Sequence, residues 1–152
     1  MSNAQSNWLP EELLPHDHPM ILLDRVEDYG ADFVEASFTV NEQSYFLSPQ
    51  QQRVPIWFGL EYMAQTIGLF AGIQHKLANE PVKIGFLLGT RRYTCLVDAL
   101  LMGNTYQVRA SKKYEDEGLS VFDCTINHQA LIAEASINVF QPDDPAEFFK
   151  QL

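Results

Sequence analysis

Residues 54–73, VPIWFGLEYMAQTIGLFAGI, are the most informative stretch of this chain about its fold. Its apolar residues recur at three- and four-residue spacing and the stretch ends before the polar segment HKLANEP, which predicts one long, largely buried helix. We expect Pro55 in the first turn of this helix, where the N–H that proline lacks would be unpaired anyway. Glu61 is the only residue of the stretch that carries a full charge at neutral pH, and it is therefore the first candidate for a functional group.

Glu61 belongs to a helical stripe whose members follow one another at steps of three or four residues. The other members are Trp57, Gln65, Gly68 and Gly72. Because the glycines allow another surface to close over the stripe, we expect Glu61 to be enclosed. Enclosure disfavours the charged form of a carboxyl group, and an acid that keeps its proton near neutral pH suits general acid catalysis. The alternative is a carboxylate that reaches solvent or pairs with a lysine.

Length and composition predict a single globular domain. The chain has 152 residues, of which 46% are hydrophobic, and this is enough to bury a substantial core. We place the domain at residues 9–141 and assign residues 142–152 to a tail with a short helix, anchored by Phe148 and Phe149.

The net charge limits the classes of partner. A formal charge of -10 argues against nucleic acids and anionic membrane surfaces, whose negative charges would repel the chain. Two basic pairs, Arg91–Arg92 and Lys112–Lys113, remain candidates for local docking of an acidic protein.

The two cysteines, Cys95 and Cys124, have neither CxxC nor metal-ligand spacing. A reduced, cytoplasmic compartment is the simplest interpretation, and no metal or other cofactor is expected. No charged segment with an apolar core precedes the fold, so we do not expect secretion. Residues 54–73 are long enough to span a bilayer, but the central Glu61 and Gln65 favour burial in a soluble protein over membrane insertion.

Outside the helix, apolar and polar residues alternate with the period of β-strands. Alternating runs occur at residues 34–40, 106–110, 122–126 and 131–139, and further strands are predicted at Met20–Tyr29 and Val82–Val97. Asp116-Glu117-Gly118 and Asn127–Ala130 are typical of hairpin turns. Because a single buried helix needs a sheet curved around it, the sequence predicts an α+β domain.

Three segments together resemble one enzyme family. LLPHDHPMILLDRV (13–26) resembles the LLPHRYPFLLVDRV opening of β-hydroxyacyl-acyl-carrier-protein dehydratases of the FabZ type. VPIWFGLEYMAQTIGLFAG (54–72) is similar to their central helix FPGVLILEAMAQATGILAF, and residues 84–108 resemble their third strand more loosely. The combination of PHxxPM, EYMAQ and GFLLGTRRY is closer still to the dehydratase-like proteins of aryl-polyene biosynthetic clusters.

The resemblance implies the hotdog fold, in which an antiparallel sheet wraps around one long helix and two subunits pair edge to edge. It places Glu61 on the catalytic acid of the family. It also aligns Pro55 and Ile56 with the Pro-Gly that opens the helix, which leads us to expect a free Ile56 N–H directed at the thioester carbonyl. The other residues that we assign to substrate binding on this basis are Trp57, Gln65, Gly85 and Phe86.

One departure from the family concerns the catalytic base. The family has a histidine fourteen residues before the acid, where this chain has Leu47. His16, in the N-terminal motif, is our candidate for a relocated base, and His18 is a weaker one. We expect His75 to cap the end of the helix and His128 to be solvated in a hairpin turn. Alternatively, the base comes from a paralogous subunit across a heterodimer interface.

The sequence thus predicts a dehydratase-like protein that acts on 3-hydroxyacyl thioesters, carried on acyl-carrier protein or CoA, in fatty-acid or polyene biosynthesis. Water would be eliminated to give an enoyl thioester. Two alternatives stay open. One is a hotdog thioesterase, in which Glu61 would act as a general base for water. The other is a catalytically incomplete subunit that needs a partner, for which the missing histidine is the best support.

Overall fold

The computed structural model describes residues 8–79, 86–142, 144 and 150, apart from the side chains of residues 86–88. The chain forms two α-helices, one 3-10 helix and eight strands within this part. In chain order they are α1 (Pro10–Leu13), β1 (Arg25–Tyr29), β2 (Phe33–Thr39), β3 (Arg53–Pro55), the 3-10 helix (Ile56–Phe58), α2 (Gly59–Leu77), β4 (Phe86–Cys95), β5 (Ala99–Leu101), β6 (Thr105–Asp116), β7 (Leu119–His128) and β8 (Ala130–Phe140).

Six strands form one antiparallel sheet in the order β1-β2-β6-β7-β8-β4. The consecutive strands β6, β7 and β8 form a meander, and β4 pairs with the outer edge of β8. The short strands β3 and β5 form a separate two-stranded sheet. Consequently β1 and β4 are the two edges of the large sheet.

The strands follow the predicted alternation because one face of the sheet is buried and the other is not. In β6, β7 and β8 the buried side chains occupy every second position. These are Tyr106, Val108, Ala110, Phe122, Cys124, Ile126, Ala133, Ala135 and Ile137. Together they form the inner face of the sheet, against which α2 packs.

Both predicted hairpin turns are confirmed. Asp116 pairs with Leu119, and the two residues between them, Glu117 and Gly118, have φ angles of 49° and 87°. Two central residues with positive φ are the requirement of the tight turn that matches the twist of paired strands. Gln129, at the tip of the β7–β8 hairpin, also has a positive φ of 63°.

Helix α2 is the centre of the core, as its apolar spacing predicts. Met63, Ile67, Leu69 and Ile73 are at most 4% exposed. Tyr62 stacks on Phe38 of β2 with ring centroids 4.0 Å apart. The structure therefore confirms the predicted α+β architecture, with an antiparallel sheet on one long helix.

Two element boundaries differ from the sequence prediction. Pro55 ends β3 and does not begin α2, because residues 53–55 pair with β5 and the 3-10 helix intervenes. The first strand begins at Arg25 and not at Met20, since the backbone of Met20 and Leu22 bonds to the side chain of Gln65 instead of a neighbouring strand.

The remaining predictions concern residues that the structure covers incompletely. Strand β4 accounts for residues 86–95 of the predicted strand at 82–97, and residues 82–85 lie outside the described part, as do Phe148 and Phe149. The domain limits at residues 9 and 141 stay a prediction. Among the described residues, no helix combines the length and apolarity needed to cross a bilayer.

Replacement of Gly72 tests how closely α1 packs on α2. A Cβ added there would overlap the carbonyl oxygen of Leu13 and approach Leu13 Cβ to 2.9 Å. We expect Gly72→Ala to lower the free energy of unfolding by about 1–3 kcal/mol in urea titrations, because overpacking outweighs the better helix propensity of alanine. Gly89→Ala is the control, since nothing lies within 4 Å of its added Cβ. Equal stability of the two variants would contradict close packing at Gly72.

Candidate active site

Glu61 is the third residue of α2, and its side chain is exposed. The next two residues, Tyr62 and Met63, are buried, whereas Trp57, four residues earlier, is 65% exposed. The sheet covers the opposite side of this turn, so the predicted enclosure of Glu61 is wrong for the chain on its own. A carboxylate and an indole thus lie open to solvent at the start of α2.

The backbone of Ile56 is bonded at both ends. Its N–H donates to the carbonyl oxygen of Asp98 at 3.0 Å, and its carbonyl oxygen accepts hydrogen bonds from the Tyr93 hydroxyl at 2.5 Å and the Gly59 N–H. The expectation of a free Ile56 N–H for a thioester carbonyl is therefore wrong. In the turn that follows, the Trp57 N–H has no acceptor within the 3-10 helix, whereas the Phe58 N–H bonds to the carbonyl oxygen of Pro55, the residue that caps this helix.

Gln65 is buried and holds the N-terminal segment against α2. Its Oε1 accepts the N–H of Leu22 at 2.8 Å, and its Nε2 donates to the carbonyl oxygen of Met20 at 2.5 Å. The side chain is 5% exposed. We assign it this structural role in place of the predicted substrate contact.

The structure does not join a histidine to Glu61 within the described part of the chain. His16 is exposed in the segment after α1, and no hydrogen bond or ion pair connects it to Glu61. His18 Nε2 lies 2.9 Å from Glu11 Oε1 on the surface. His75 is buried inside the last turn of α2, which extends to Leu77, so the prediction that His75 follows the helix and caps its end is wrong. His128 is half-buried rather than solvated, with Nδ1 2.9 Å from the Thr105 carbonyl oxygen.

The loop that lacks the family histidine lies against the start of α2. Phe46 stacks on Phe58 with ring centroids 4.1 Å apart, and Leu47 beside it is half-buried against the core. The end of the loop is closed by hydrogen bonds, since Ser48 N–H donates to Arg53 and Gln52 N–H donates to Ser48. A hydrocarbon side chain thus occupies the loop position at which the family carries its base.

A cavity of about 300 Å³ adjoins α2 at Tyr62, the residue that follows Glu61. Leu22 and Phe38 supply part of its apolar wall, and Asp24 lies at its edge. Burial, together with the charge of Asp24, raises the pKa of Tyr62 to about 12. The phenol therefore remains a hydrogen-bond donor at neutral pH.

The other predicted residues are placed less completely. Gly85 lies outside the described residues, and Phe86 begins β4 opposite Phe140, with only its backbone described. Both stay predictions as substrate contacts. Lys112 is bonded to Glu115 at 2.5 Å, whereas Arg91 and Arg92 are exposed on β4 beside an open cavity of about 610 Å³.

Neither cysteine is placed as a nucleophile or metal ligand. Cys124 is buried, and burial with the charge of Asp123 raises its pKa to about 12, so its thiol is protonated at neutral pH. Cys95 is exposed on β4, forms no disulfide, and interacts with the side chain of Tyr93. Within the described part of the chain, no three His, Cys, Asp or Glu side chains converge on a metal site.

Tyr93, whose hydroxyl holds the turn before α2, was not predicted as a site residue from the sequence. Its only signal was its place in GFLLGTRRY, and the strand period assigned it no direction. Burial raises the pKa of Tyr93, so its hydroxyl keeps the proton that it donates to Ile56.

The model of the ApeP-like dehydratases matches residues 8–150 of the chain. The chain belongs to the ApeP-like dehydratase family. It is similar to the dehydratase heterocomplex ApeI:P from Xenorhabdus doucetiae, with 28% identity and a TM-score of 0.89 over 96% of this chain and 98% of that one. No curated protein sequence matches it.

More distant structures share the fold of this ApeP-like chain. A hypothetical thioesterase with coenzyme A from Streptococcus pneumoniae is 13% identical at a TM-score of 0.60, over 77% of this chain and 84% of that one. The PaaI protein of E. coli, from the phenylacetic acid degradation operon, is 14% identical at a TM-score of 0.60, over 76% of this chain and 80% of that one. The predicted hotdog fold is thereby confirmed, and it is common to dehydratases and thioesterases.

Replacement of Gln65 tests its structural role in the ApeP-like chain. We expect Gln65→Met to lower the free energy of unfolding by about 1–3 kcal/mol, because the buried Leu22 N–H loses its acceptor. Gln50→Met, at an exposed loop position, is the matched control. Urea denaturation of both variants measures the difference. A Gln65→Met variant as stable as the control would show that the amide is dispensable for the fold.

Proposed function

We propose that this chain is one subunit of a 3-hydroxyacyl thioester dehydratase whose catalytic base comes from a paralogous subunit. The observation that carries the proposal is Glu61, a carboxylate open to solvent at the start of α2, with no histidine bonded to it among the described residues. Leu47 occupies the loop position of the family base. One half of an acid–base pair is therefore present, on a surface that a second chain can cover.

In the proposed reaction the base of the partner removes the α-proton of the thioester. The C–O bond to the 3-hydroxyl group then breaks, Glu61 gives its proton to the departing oxygen, and the products are water and an enoyl thioester. The Trp57 N–H replaces that of Ile56 as our candidate donor to the thioester oxygen. This elimination needs no cofactor.

The geometry of β4 supports a partner beside Glu61. This strand is an edge of the large sheet, so its outer side is available to a strand from another chain. Tyr93 of β4 contacts Ile56 and Gly59 at the start of α2, which places this edge next to the turn that carries Glu61. A homodimer would contain two such acids and no loop histidine, so we favour a heterodimer with a subunit that retains the histidine.

The substrate assignment is an extension of the family resemblance. We propose that the acyl chain is carried on acyl-carrier protein in fatty-acid or polyene biosynthesis, and that the exposed Arg91 and Arg92 are better placed to meet an acidic carrier than Lys112, which is bonded to Glu115. The two free cysteines agree with a cytoplasmic location. His16 is the second candidate for the base, should the isolated chain be active.

The test is formation of enoyl thioester from a 3-hydroxyacyl-acyl-carrier-protein, with free acid measured in the same samples. We expect turnover only when the chain is mixed with a paralogous dehydratase subunit that carries the loop histidine. Glu61→Gln should lower the rate of the mixture by about 10²–10⁴-fold, the usual contribution of a general acid. Glu117→Gln, in the β6–β7 turn, is the control that should leave the rate unchanged.

Other outcomes would assign other functions. Turnover by the isolated chain that His16→Ala abolishes would support a relocated base and overturn the need for a partner. Release of free acid without enoyl product would favour a thioesterase. If the mixture that contains the Glu61→Gln variant is as active as the mixture with the unmodified chain, this chain is a non-catalytic subunit.

A further inference from the structure

We infer that Tyr93 is a positioning residue that ties the β4 edge of the sheet to the turn that carries Glu61. The inference rests on the proposed function, in which β4 meets the partner and Glu61 acts as the acid. The Tyr93 hydroxyl donates to the Ile56 carbonyl oxygen at 2.5 Å, while the Ile56 N–H donates to the carbonyl oxygen of Asp98 at 3.0 Å. Ile56 is thus held at both backbone ends, five residues before Glu61.

Gly59 makes room for this contact at the first residue of α2. A Cβ added there would overlap Tyr93 Oη and lie 3.2 Å from Ile126 Cδ1. A larger residue would therefore push either the tyrosine or the helix start out of place. The glycine and the tyrosine act as a matched pair.

A bulge in β4 directs the Tyr93 ring inward. Arg91 pairs with Ser136 and Tyr93 with Ala135, so Arg92 is the additional residue between two ladder pairs. Its φ of 55° is in the left-handed region, which is unfavourable for arginine. In a regular strand Arg91 and Tyr93, which are two positions apart, would point to the same face of the sheet. The bulge instead sends Arg91 to the outer face and Tyr93 to the start of α2.

The Tyr93 hydrogen bond therefore connects the β4 edge of the sheet to the turn that precedes Glu61. Any shift of β4 on contact with a partner moves the Tyr93 hydroxyl, and the hydroxyl holds the turn from which α2 begins. Since a displacement of about 1 Å can cost on the order of 100-fold in rate, the orientation of Glu61 depends on this hydrogen bond.

Tyr93→Phe tests the inference because it keeps the ring and removes only the hydroxyl. In the active mixture of the two subunits we expect kcat to fall by about 10–100-fold with little change in KM. In a Glu61→Gln background the same replacement should cause no further loss, since the hydroxyl acts through Glu61. Tyr114→Phe, at a 55% exposed position of β6, is the control. An equal loss with and without Glu61 would overturn the inference.

The matched pair offers a second test. Gly59→Ala alone should reduce kcat, and Gly59→Ala combined with Tyr93→Phe should recover part of the loss, because the overlapping hydroxyl is then absent. A double variant no more active than Gly59→Ala would count against the matched pair.

Hydrogen exchange of the isolated chain separates this inference from the proposed function. We expect the amides of residues 56–61 to exchange about fivefold faster in Tyr93→Phe than in the unmodified chain, as after loss of one hydrogen bond. Unchanged exchange would overturn the inference whatever the activity. Faster exchange in a protein that shows no turnover with its partner would support the link and contradict the proposed function instead.

Discussion

Helix α2 packs on one face of the six-stranded sheet, and this packing determines where the candidate site residues lie. The helix is apolar over most of its surface and has to bury more than one side, yet one sheet covers only the side that includes Met63, Ile67 and Ile73. Trp57 in the 3-10 helix and Glu61 in the first turn of α2 are left outside this cover. The same packing that builds the core thus presents a carboxylate to whatever approaches the β4 edge.

The polar contacts around α2 fix this arrangement at specific points. Gln65 satisfies the backbone of the segment that precedes β1, so that segment need not find a strand partner. Asp98 and Tyr93 do the same for Ile56 at the start of the helix. These contacts join residues that are more than 35 positions apart in the chain, and they position the candidate site without taking part in its chemistry.

Short-range sequence patterns were sufficient to predict the helix, strands and turns that depend on interactions between residues close in the chain. The three- and four-residue spacing gave the existence of α2, alternation gave the inner face of β6 to β8, and the turn residues gave both hairpins. The patterns failed where a distant residue bonds to a backbone group, as at Ile56, and where an additional residue changes the face to which the side chains of a strand point, as at Arg92. The exposure of Glu61 could not be predicted either. Periodicity indicates which face of a helix is apolar, but it does not indicate whether this chain or another covers that face.

The hotdog fold itself does not decide the reaction, since thioesterases and dehydratases share it. The central claim is a divided active site, with Glu61 on this chain and the histidine on another. The most direct measurement uses a paralogous partner whose own helix carboxylate is replaced by an amide while its loop histidine is retained. If the active site is divided between two chains, neither chain alone will dehydrate a 3-hydroxyacyl-acyl-carrier-protein, and the mixture will. A stable complex of the two chains without turnover would contradict it.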